Sequence, residues 1–406
     1  MHILLIHQAF TSLDEPGGTR HYELSRYFAE HGHQVTIIAS QISYLTGTYK
    51  QENPLHQEHQ FHNPGITVLR AYTYPALHRS FFHRLVSFFS FMLSSFLVGM
   101  RVKRIDLVWG TSPPIFQGLT SWLLARLKRV PFLFEVRDLW PAFAVDLGIL
   151  RQPLVIRASE WLESFLYNHA DQVVVNSPGF IQHVQNRGAQ KVQLIPNGAD
   201  IAMFDPQADG KKLRQDRDLE GKFVALYAGA HGISNDLEVL LDSAEILKTQ
   251  PEIILLLLGD GKEKPNLIAK SREMHLSNVR FLDPVPKADM PEYLAASNAC
   301  IAILKPIRLY KTVYPNKVFD YMAAGRPVIL AIDGVIKEVI ENARAGIVVP
   351  PGKPAALAEA IRKLASNPDL SYVLGKNGRQ YVEANFDRPI LASKFLRLME
   401  NLVKEV

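Results

Sequence analysis

The stretch YPNKVFDYMAAGRPVIL, residues 314–330, places a helix start, a helix stop and a strand in sequence. Asn316 predicts the N-cap, because its side-chain amide can accept a hydrogen bond from the free N–H groups of the first turn. The pattern predicts a helix over residues 318–324 that Gly325 ends, since glycine adopts the left-handed conformation without steric cost. The apolar residues 328–331 then predict a short buried strand.

Lys317 stands in the first turn of this helix, where the helix dipole disfavours a cation. A bound anion would reverse that preference, because helix N-termini bind phosphates and a lysine adds charge. Asp320 follows one turn later and could accept hydrogen bonds from sugar or ribose hydroxyls. The alternative is an ordinary surface pair between residues i and i+3, which contributes a few tenths of a kcal/mol. The spacing alone leaves both interpretations open.

The segment resembles the donor-sugar-nucleotide site of retaining glycosyltransferases with the GT-B fold, in the large family numbered four. It is most similar to the branch typified by bacterial N-acetyl-fucosamine transferases, whose site reads Pro-Ser-Lys, two residues, then Glu-Tyr-Met-Ala-Ala-Gly-Arg-Pro-Val. The resemblance implies that Asp320 holds the nucleotide ribose, and that the helix start at Asn316 and Lys317 meets the pyrophosphate. This chain has Asp320 where the branch has glutamate. It also has Thr312 where the wider family often has a second acid that touches the donor sugar.

A length of 406 residues predicts two domains, each large enough to bury a core. The net charge of +5 suits nucleotide phosphates or an anionic membrane surface, and we expect no nucleic-acid partner. The single cysteine, Cys300, excludes an intrachain disulfide, fits a reducing cytoplasm and lies in an apolar run that predicts a buried strand. We expect no signal peptide before the first strand.

The chain opens with the strand, loop, helix and strand of a βαβ unit, with its glycines just before the helix. Gly17 and Gly18 would let the backbone approach a ligand, although such a pair is more often only a turn. The resemblance implies that both lie against the donor, and Arg20 is a nearby candidate phosphate contact. The G-x-G-x-x-G spacing of nicotinamide and flavin sites is absent from this loop.

Two groups of residues invite a metal-binding interpretation. His56, His59 and His62 recur every three residues in a polar stretch, and Asp216 and Asp218 form an Asp-x-Asp motif in a charge-dense connector. We expect a solvated loop in the first case and a solvated surface in the second. The chemistry that the resemblance implies needs no protein-bound metal and no cofactor.

Residues 85–100, LVSFFSFMLSSFLVGM, contain no charged residue and have basic residues on both sides. The run is shorter than the roughly 20 apolar residues of a transmembrane helix, and its serines weaken that interpretation further. A buried core helix is one alternative. The aromatic content and the flanking cations favour the other, a helix lying in the membrane interface. The phenylalanines of this region are Phe81, Phe82, Phe88, Phe89, Phe91 and Phe96.

The apolar run PFLFEV predicts a strand, and RDLWPAFAVDLG follows it. Open α/β sheets place their chemistry at the carboxyl ends of strands. Arg137 and Asp138 are therefore candidate catalytic residues, and Glu135 is a further candidate. The branch named above carries the same Arg-Asp-Leu-Trp-Pro run, whereas the broader family often has a histidine where Arg137 stands. The alternative is an Arg–Asp pair that stabilises the loop.

The run FVALYAGAHG predicts a strand that enters a glycine loop before a helix, an arrangement that can receive a phosphate. Gly229, His231 and Asn235 are the candidate contacts in this loop. Much of the family has an arginine and a lysine where this chain has His231 and Asn235. The loss of those two cations would place more of the pyrophosphate charge on Lys317, with Lys305, Arg308 and Lys311 as further candidates.

The order of elements predicts an α/β fold with two Rossmann-like halves facing a cleft. The resemblance divides the chain into an acceptor-binding domain, residues 1–198, and a donor-binding domain, residues 199–387. It routes the last helix, residues 388–406, back onto the first domain. It also implies that Pro284 and Val285 border the nucleobase.

The resemblance implies a metal-independent retaining glycosyltransferase that uses a UDP-sugar donor. Its acceptor would be a membrane-associated, lipid-linked saccharide for a bacterial surface polysaccharide such as lipopolysaccharide or capsule. The protein would lie in the cytoplasm, peripherally on the inner face of the cell membrane. Two alternatives stay open: a UDP-sugar 2-epimerase of the same fold, and a catalytically inactive nucleotide-binding protein. The residues Thr312, His231 and Asn235, which depart from the family pattern, are the basis of the second alternative.

Overall fold

The computed structural model describes residues 1–43, 47–50, 57–59, 63–76 and 81–405. Its contacts divide the chain into two compact units. The N-terminal unit contains Met1–Leu13, Gly17–Pro196 and Pro389–Val406, and the C-terminal unit contains Asp14–Pro16 and Asn197–Arg388. The main divisions of the chain lie after Pro196 and after Arg388.

The N-terminal unit is built on one sheet whose strands are mostly buried apolar runs. Its strands are β1 (His2–Ile6), β2 (Gln34–Ser40), β3 (Gln57–His59), β4 (Ile66–Ala71), β5 (Leu107–Ser112), β6 (Phe132–Val136), β7 (Gln172–Val175) and β8 (Val192–Leu194). Their spatial order is β3-β4-β2-β1-β5-β6-β7-β8. All neighbouring pairs are parallel except β3 and β4, which are antiparallel. Such a sheet needs helices on both faces.

The helices of this unit up to the division are α1 (Arg20–Glu30), α2 (Phe81–Arg101), α3 (Phe116–Lys128), α4 (Ala142–Asp146), α5 (Pro153–His169) and α6 (Ile181–Asn186). Helix α2 packs on α3, β2 and β4, and α3 also contacts α5. These three helices therefore lie side by side.

The C-terminal unit has a second, fully parallel sheet. Its strands are β9 (Phe223–Ala228), β10 (Ile253–Leu258), β11 (Val279–Leu282), β12 (Ala299–Ile303), β13 (Val328–Ala331) and β14 (Gly346–Val348). Its helices are α7 (Lys211–Asp216), α8 (Glu238–Ile246), α9 (Lys264–Glu273), α10 (Met290–Ala295), α11 (Asn316–Ala323), α12 (Val335–Ala343), α13 (Pro354–Ala365) and α14 (Pro368–Asn385). The strand order is β11-β10-β9-β12-β13-β14. This is the doubly wound order in which the direction of winding reverses beside the first strand.

The last helix, α15 (Arg388–Lys404), belongs to the N-terminal unit from Pro389 onward. Phe395 packs edge-on against Trp109 of β5, with ring centroids 5.1 Å apart. Leu391 and Met399 join the same buried cluster as strands β1 and β2. The apolar face of α15 is thus part of the core of this unit.

Helix α11 differs from its predicted bounds at the amino end. The helix starts at Asn316 rather than Val318, and the capping position is Pro315, whose side chain makes no capping hydrogen bond. The side chain of Asn316 instead contacts that of Asn197, so the predicted N-cap role is wrong. The carboxyl end is as predicted, since Gly325 has a φ of +66°.

Helix α2 is longer than its charge-free run, and by length and composition its segment Phe82–Arg101 could cross a membrane. The expectation that residues 85–100 are too short to span concerned the charge-free run alone, and the helix that contains this run is longer. The serines explain part of its placement, because Ser90 Oγ accepts a hydrogen bond from Tyr74 N at 2.8 Å. Ser94 Oγ likewise donates to Tyr72 O at 2.6 Å. One face of α2 is core, as the first alternative predicted, and Phe91 on that face is 1% exposed.

Candidate functional site

In both sheets the strand order reverses beside the first strand, and ligands of open α/β sheets bind outside the carboxyl ends of strands at such points. In the C-terminal unit this edge carries Gly229 after β9, Gly259 after β10 and Pro284 after β11. The amino end of α11 starts near the same strands, because Lys317 reaches Tyr227 at the end of β9. The site is built from these loops.

The glycines of this edge let two loops touch through their backbones. A Cβ on Gly259 would lie 1.9 Å from the carbonyl oxygen of Gly229, and one on Gly261 would lie 2.5 Å from that of His231. A Cβ on Gly229 would lie 2.5 Å from the Nζ atom of Lys317. All three glycines have positive φ, from +144° to +157°, which disfavours any side chain. Gly229 therefore stands against the lysine that the sequence singled out.

Lys317 holds an ammonium group in a position without an oxygen partner. Its Nζ lies 3.9 Å from the centroid of the Tyr227 ring. That atom is buried and has no hydrogen-bond partner in the described part of the chain. Burial lowers the pKa of Lys317 to about 7. The surface pair with Asp320 that the spacing allowed does not form, since Asp320 bonds a different lysine.

His231 lies beside this lysine and is fully buried. Neither ring nitrogen has a hydrogen-bond partner within the described residues. Burial lowers the pKa of His231 to about 4, and the charges of Lys264 and Lys317 add to the effect. The neutral imidazole can still donate one hydrogen bond to an anion. Asn235 ends the short turn that follows, where its N–H donates to Gly232 O at 3.0 Å.

Asp320 makes an ion pair with Lys287 in which both side chains are largely buried. The second carboxylate oxygen, Oδ1, is buried and has no partner among the residues the structure describes. Lys287 also lies 5.0 Å from the centroid of the Phe204 ring. Pro284, three positions before Lys287 in the chain, is exposed, and Val285 packs against the core. The sequence analysis missed Lys287, although it follows Val285 by two positions.

Lys264 is a second cation that the sequence analysis missed. Its Nζ donates to the carbonyl oxygens of Gly259 at 2.9 Å and Leu282 at 3.1 Å, and pairs with Asp283 at 2.7 Å. It thereby ties the exits of β10 and β11 together. The candidate Lys311 instead pairs with Asp333 at 2.7 Å, which directs it away from a phosphate role.

The matching edge of the N-terminal unit carries a histidine that the sequence analysis also missed. His7 follows β1, is buried, and has no hydrogen-bond partner for either ring nitrogen among the described residues. Its ring centroid lies 4.1 Å from that of His21. Burial holds the pKa of His7 well below its usual value, and the neighbouring charges add to this effect. His7 is neutral at physiological pH.

Arg20 is not placed as a phosphate contact. Its Nε donates to Glu135 at 2.8 Å, and its two terminal nitrogens donate to Pro196 O at 2.9 Å and Ile195 O at 3.0 Å. Glu135 also accepts from His21 Nε2 at 2.8 Å and is fully buried. Burial raises the pKa of Glu135, but Arg20 and His21 outweigh it and hold the pKa below its usual range. Arg20 and Glu135 therefore form a structural network, which corrects both predicted roles.

Arg137 and Asp138 follow β6 at the carboxyl edge of the same sheet. The guanidinium of Arg137 donates to Ser112 O at 3.3 Å and to Pro113 O at 2.8 Å, which fixes the loop after β5. The side chain of Asp138 is exposed. The surrounding protein raises the pKa of Asp138 to about 6 against the opposing charge of Arg137, although its carboxyl retains solvent access. Their catalytic role stays a prediction.

The two glycines of the first loop have different surroundings. Gly17 has a φ of +140°, and a Cβ there would lie 3.3 Å from the Thr11 side chain. Gly18 faces open space, and its carbonyl oxygen accepts from Thr11 Oγ1 at 3.0 Å. Gly17 is thus required by the turn itself, whereas Gly18 is free to border a ligand.

The metal hypotheses find no support in the part of the chain that the structure describes, where no cluster of three or more His, Cys, Asp or Glu could hold an ion. His56 and His62 lie outside the described residues, and His59 lies in β3. Asp216 and Asp218 are both exposed, as the solvated-surface interpretation predicted.

Two family models match this chain. One, described as a glycosyl transferase 4-like domain, matches residues 17–198, and the other, described as glycosyl transferases group 1, matches residues 222–367. Together they cover most of both units. The N-terminal model begins at the glycine loop, and the C-terminal model contains every donor-site residue discussed for that unit.

The chain is similar along its whole length to one curated relative and to several solved structures. It is 25% identical over 390 residues to WcaI of Escherichia coli (strain K12), named as a colanic acid biosynthesis glycosyl transferase, covering 92% of this chain and 93% of that protein. The structure of a sucrose-phosphate synthase from Thermosynechococcus elongatus matches with a TM-score of 0.81, 21% identity and full coverage of both chains. HepE of Anabaena in complex with UDP-glucose matches with a TM-score of 0.72 and 17% identity, covering 99% of this chain and 100% of that chain.

Proposed function

This chain is a glycosyltransferase with the GT-B fold, and from that premise we propose that it moves a sugar from a UDP-sugar, with retention, to a saccharide acceptor in bacterial surface polysaccharide synthesis. The observation that carries the proposal is the buried, unpaired ammonium of Lys317 against the Gly229 loop. The name of the relative WcaI supports the pathway, and the UDP-glucose bound by HepE supports the donor. The Pro-Asn-Lys and Arg-Asp-Leu-Trp-Pro motifs support the N-acetyl-fucosamine transferase-like branch.

The diphosphate of the donor fits the amino end of α11. Four N–H groups at a helix start have no partner inside the helix, and the helix dipole favours an anion there. Lys317 adds a charge, and His231 adds a neutral donor. A diphosphate at this place would give both buried side chains the hydrogen bonds that they lack. It would also reverse the cost of holding an ammonium away from water.

The nucleoside would extend from the diphosphate toward Asp320. The free Oδ1 of Asp320 can accept a hydrogen bond from a ribose hydroxyl while Oδ2 stays with Lys287. The pair with Lys287 fixes the direction of the carboxylate. Pro284 and Val285 follow β11 and would border the base.

The reaction would rest on stabilising the departing diphosphate and an oxocarbenium-like sugar. Lys317 and the start of α11 supply positive potential where charge develops on the leaving group. Arg137 and Asp138 would act at the reacting region, with His7 as a further neutral polar group on the same sheet edge. No step of this scheme requires a protein-bound metal.

The acceptor would be reached at an anionic membrane. Helices α2, α3 and α5 of the N-terminal unit expose an apolar surface, which we call the apolar face. Its exposed members are Phe82, Phe89, Leu93, Leu97, Met100, Leu123, Leu127, Leu154 and Trp161. Leu93 is 62% exposed and Trp161 is 66% exposed, so the apolar face exceeds the isolated apolar side chains that are common on protein surfaces.

The charge of α2, α3 and the segment that joins them is almost entirely positive. Asp106 is the only acidic residue between positions 81 and 134. Exposed cations flank the helices, including Arg84, Arg101, Lys103 and Arg104. Each such residue near an anionic surface contributes about 1 kcal/mol. We therefore propose peripheral attachment to the inner face of the cell membrane, with a lipid-linked acceptor.

Vesicle flotation tests the attachment. Leu93→Ser with Leu97→Ser removes exposed apolar area without touching the core face, so the variant should fold and lose much of its binding to anionic vesicles. The matched control is Ile246→Ser with Val373→Ser, two exposed residues of the C-terminal unit. Wild-type protein that stays unbound, or an apolar-face variant that floats as well as the control, contradicts the attachment. Phe91 is excluded from the variant because it is buried.

The test of the function is a donor screen followed by turnover. UDP-sugars are ranked by thermal stabilisation, which grows with ligand concentration over Kd. The best donor is then incubated with and without membrane lipid extract, and the products are separated. Transfer to lipid supports the proposal. An epimerised sugar nucleotide without acceptor indicates the 2-epimerase, and binding of a UDP-sugar without turnover indicates the inactive nucleotide-binding protein. Absence of binding for every UDP-sugar contradicts the proposed donor.

A further inference from the structure

The opposite edge of the C-terminal sheet carries a cavity of about 680 Å³. It lies where strands begin, at Phe223 of β9 and at Pro327 just before β13. The Gly229 loop lies where β9 ends, six residues further along the strand. Because each strand residue advances about 3.3 Å, roughly 20 Å of sheet separates the two places. The cavity is therefore distinct from the proposed donor site.

Basic side chains line this cavity, and no Asp or Glu is among the described residues that line it. Its four cations are Lys222, Arg326, Lys376 and Arg379. Arg379 pairs with Glu383 and donates to Ala323 O at 2.7 Å, so its charge is already balanced. Lys222 donates to Pro251 O at 3.0 Å, which leaves its charge uncompensated.

Arg326 differs from Arg379 and Lys222 in its hydrogen bonding. Its side chain is half-buried and its Nε is buried without a hydrogen-bond partner. No ion pair or side-chain hydrogen bond of Arg326 exists in the part of the chain described here. Burial lowers the pKa of Arg326, and the neighbouring Arg214 adds to this effect. Since a guanidinium out of water needs acceptors, an oxygen-rich group in the cavity would complete its hydrogen bonding.

The rest of the cavity would accommodate a small organic group attached to the oxygen-rich group. Phe223, Leu364 and Tyr372 supply apolar wall, and Tyr372 stands at the rim with 70% of its surface exposed. Pro368 and Ser371 place the first turn of α14, an 18-residue helix, on the cavity wall. Because Asn367 caps this helix end and Asp369 lies in its first turn, α14 contributes wall and not charge to the cavity.

We propose that this cavity is a second binding site, for a small phosphorylated molecule whose phosphate contacts Arg326 and Lys376. The phosphate balances charge that the protein leaves uncompensated, and the guanidinium can bind two of its oxygens at once. The organic part packs against Phe223 and Tyr372. The volume lies within the range of about 300–1,000 Å³ that is usual for small-molecule sites.

Calorimetry with ribose 5-phosphate as the probe tests this site. The full-length protein is saturated with UDP beforehand, so that any nucleotide-phosphate site is filled. Saturable binding of ribose 5-phosphate and of inorganic phosphate is expected, with none for ribose. Arg326→Gln should weaken the binding by about tenfold or more, because a charge-assisted contact is lost. The control Lys363→Gln, an exposed lysine outside the cavity, should leave it unchanged.

Absence of saturable phosphate binding at millimolar concentrations overturns the proposal, as does equal affinity in wild type and Arg326→Gln. Should Arg326→Gln fail to fold, Lys376→Gln removes an exposed charge and should weaken binding about threefold. Unchanged affinity in that variant also overturns it. Because UDP binding is measured separately in each protein, failure of the proposed donor site and failure of this second site give different results.

Discussion

The carboxyl edges of the two sheets have the same topology and use their cations differently. At the edge of the N-terminal unit, the guanidinium groups of Arg20 and Arg137 bond carbonyl oxygens of neighbouring loops, and Arg20 also bonds Glu135. At the edge of the C-terminal unit, Lys317 has a buried ammonium and His231 a buried imidazole without a hydrogen-bond partner in the described chain. The guanidinium groups of the first edge are satisfied by the protein, although the imidazole of His7 there is not, whereas the ammonium of Lys317 at the second edge lacks an anion.

This difference in hydrogen-bond partners indicates which charged side chains bind a ligand and which hold the fold. A buried polar group without a partner costs free energy, so a native fold retains it where a ligand or water completes it. The sequence predicts functional residues at both edges, because charged residues follow apolar strands at both. Only the hydrogen-bond partners separate a cation that holds a loop from one that awaits a phosphate. The predictions below test this separation from the largest expected effect to the smallest.

The largest effect is expected from Glu135→Ala at the edge of the N-terminal unit. The substitution leaves the buried guanidinium of Arg20 without its carboxylate, and breaking a buried pair from one side costs about 3–5 kcal/mol. Denaturant unfolding should report that loss. The control Glu400→Ala removes an exposed partner of His33 and should cost less than about 1 kcal/mol. Similar small losses for both variants would show that the Arg20 network is not structural.

Lys317→Ala is expected to act on binding rather than on stability. The lost charge-assisted contact is worth about 1.5–3 kcal/mol, which corresponds to about 10- to 150-fold weaker binding of UDP in calorimetry. The ligand-free protein should be no less stable to unfolding, since the ammonium has no partner there and its burial costs free energy. Lys363→Ala, at an exposed position, serves as the control. Equal UDP affinity in Lys317→Ala and wild type would falsify the pyrophosphate role.

The pH dependence of UDP binding gives the third test. The pKa of Lys317 is about 7 in the folded chain, against 10.5 for a solvated lysine in the unfolded chain. The unfolded chain therefore holds more protons between these values, and Lys317 makes the fold more stable as pH rises through this window. Binding to the charged ammonium should weaken over the same window, by at most about tenfold per pH unit. The terminal phosphate, with a pKa of about 6, is already ionised above pH 7.5.

Calorimetry at pH 7.5 and pH 9 measures this slope in wild type and in Lys317→Ala. We expect the affinity to fall with pH in wild type and to stay nearly level in the variant. A slope of equal size in both proteins would assign the titration to another group. His231 does not contribute in this window, because its pKa is about 4.

Much of the fold was predictable because local chemistry decides it. Gly325 has the left-handed conformation and β13 spans Val328–Ala331, as the residues of that stretch predicted. The N-cap role of Asn316 was not predictable, since Asn197 competes for its side chain from a distant part of the chain. Helix α2 was only half predictable, because its pattern does not say that one face meets β2 and β4 while the other stays exposed.

The residues of the candidate site likewise divide into those that the sequence predicted and those that it did not. Lys317 and the Gly229 loop were readable, because a cation in a first helical turn and a glycine loop after a strand are local signals. Lys264, Lys287 and His7 were missed, because their significance depends on neighbouring strands that the sequence does not align. Lys264 is an ordinary basic residue until the carbonyl groups of two strand exits converge on it. A search for polar residues directly after each strand would have found His7.

The smallest effect is expected at Asp320, because one of its carboxylate oxygens already pairs with Lys287 and only Oδ1 lacks a partner in the described chain. Asp320→Asn keeps the size of the side chain and weakens its acceptance from ribose hydroxyls, so UDP should bind about fivefold more weakly. The variant also releases Lys287, whose ion pair it breaks. A 2′-deoxyuridine diphosphate separates the two effects, because only the hydroxyl contact depends on the ribose. If the deoxy ligand loses as much affinity as UDP on mutation, Asp320 acts by holding Lys287 and is a structural residue like Glu135. If the deoxy ligand loses less, Oδ1 belongs with Lys317 among the groups that the ligand completes.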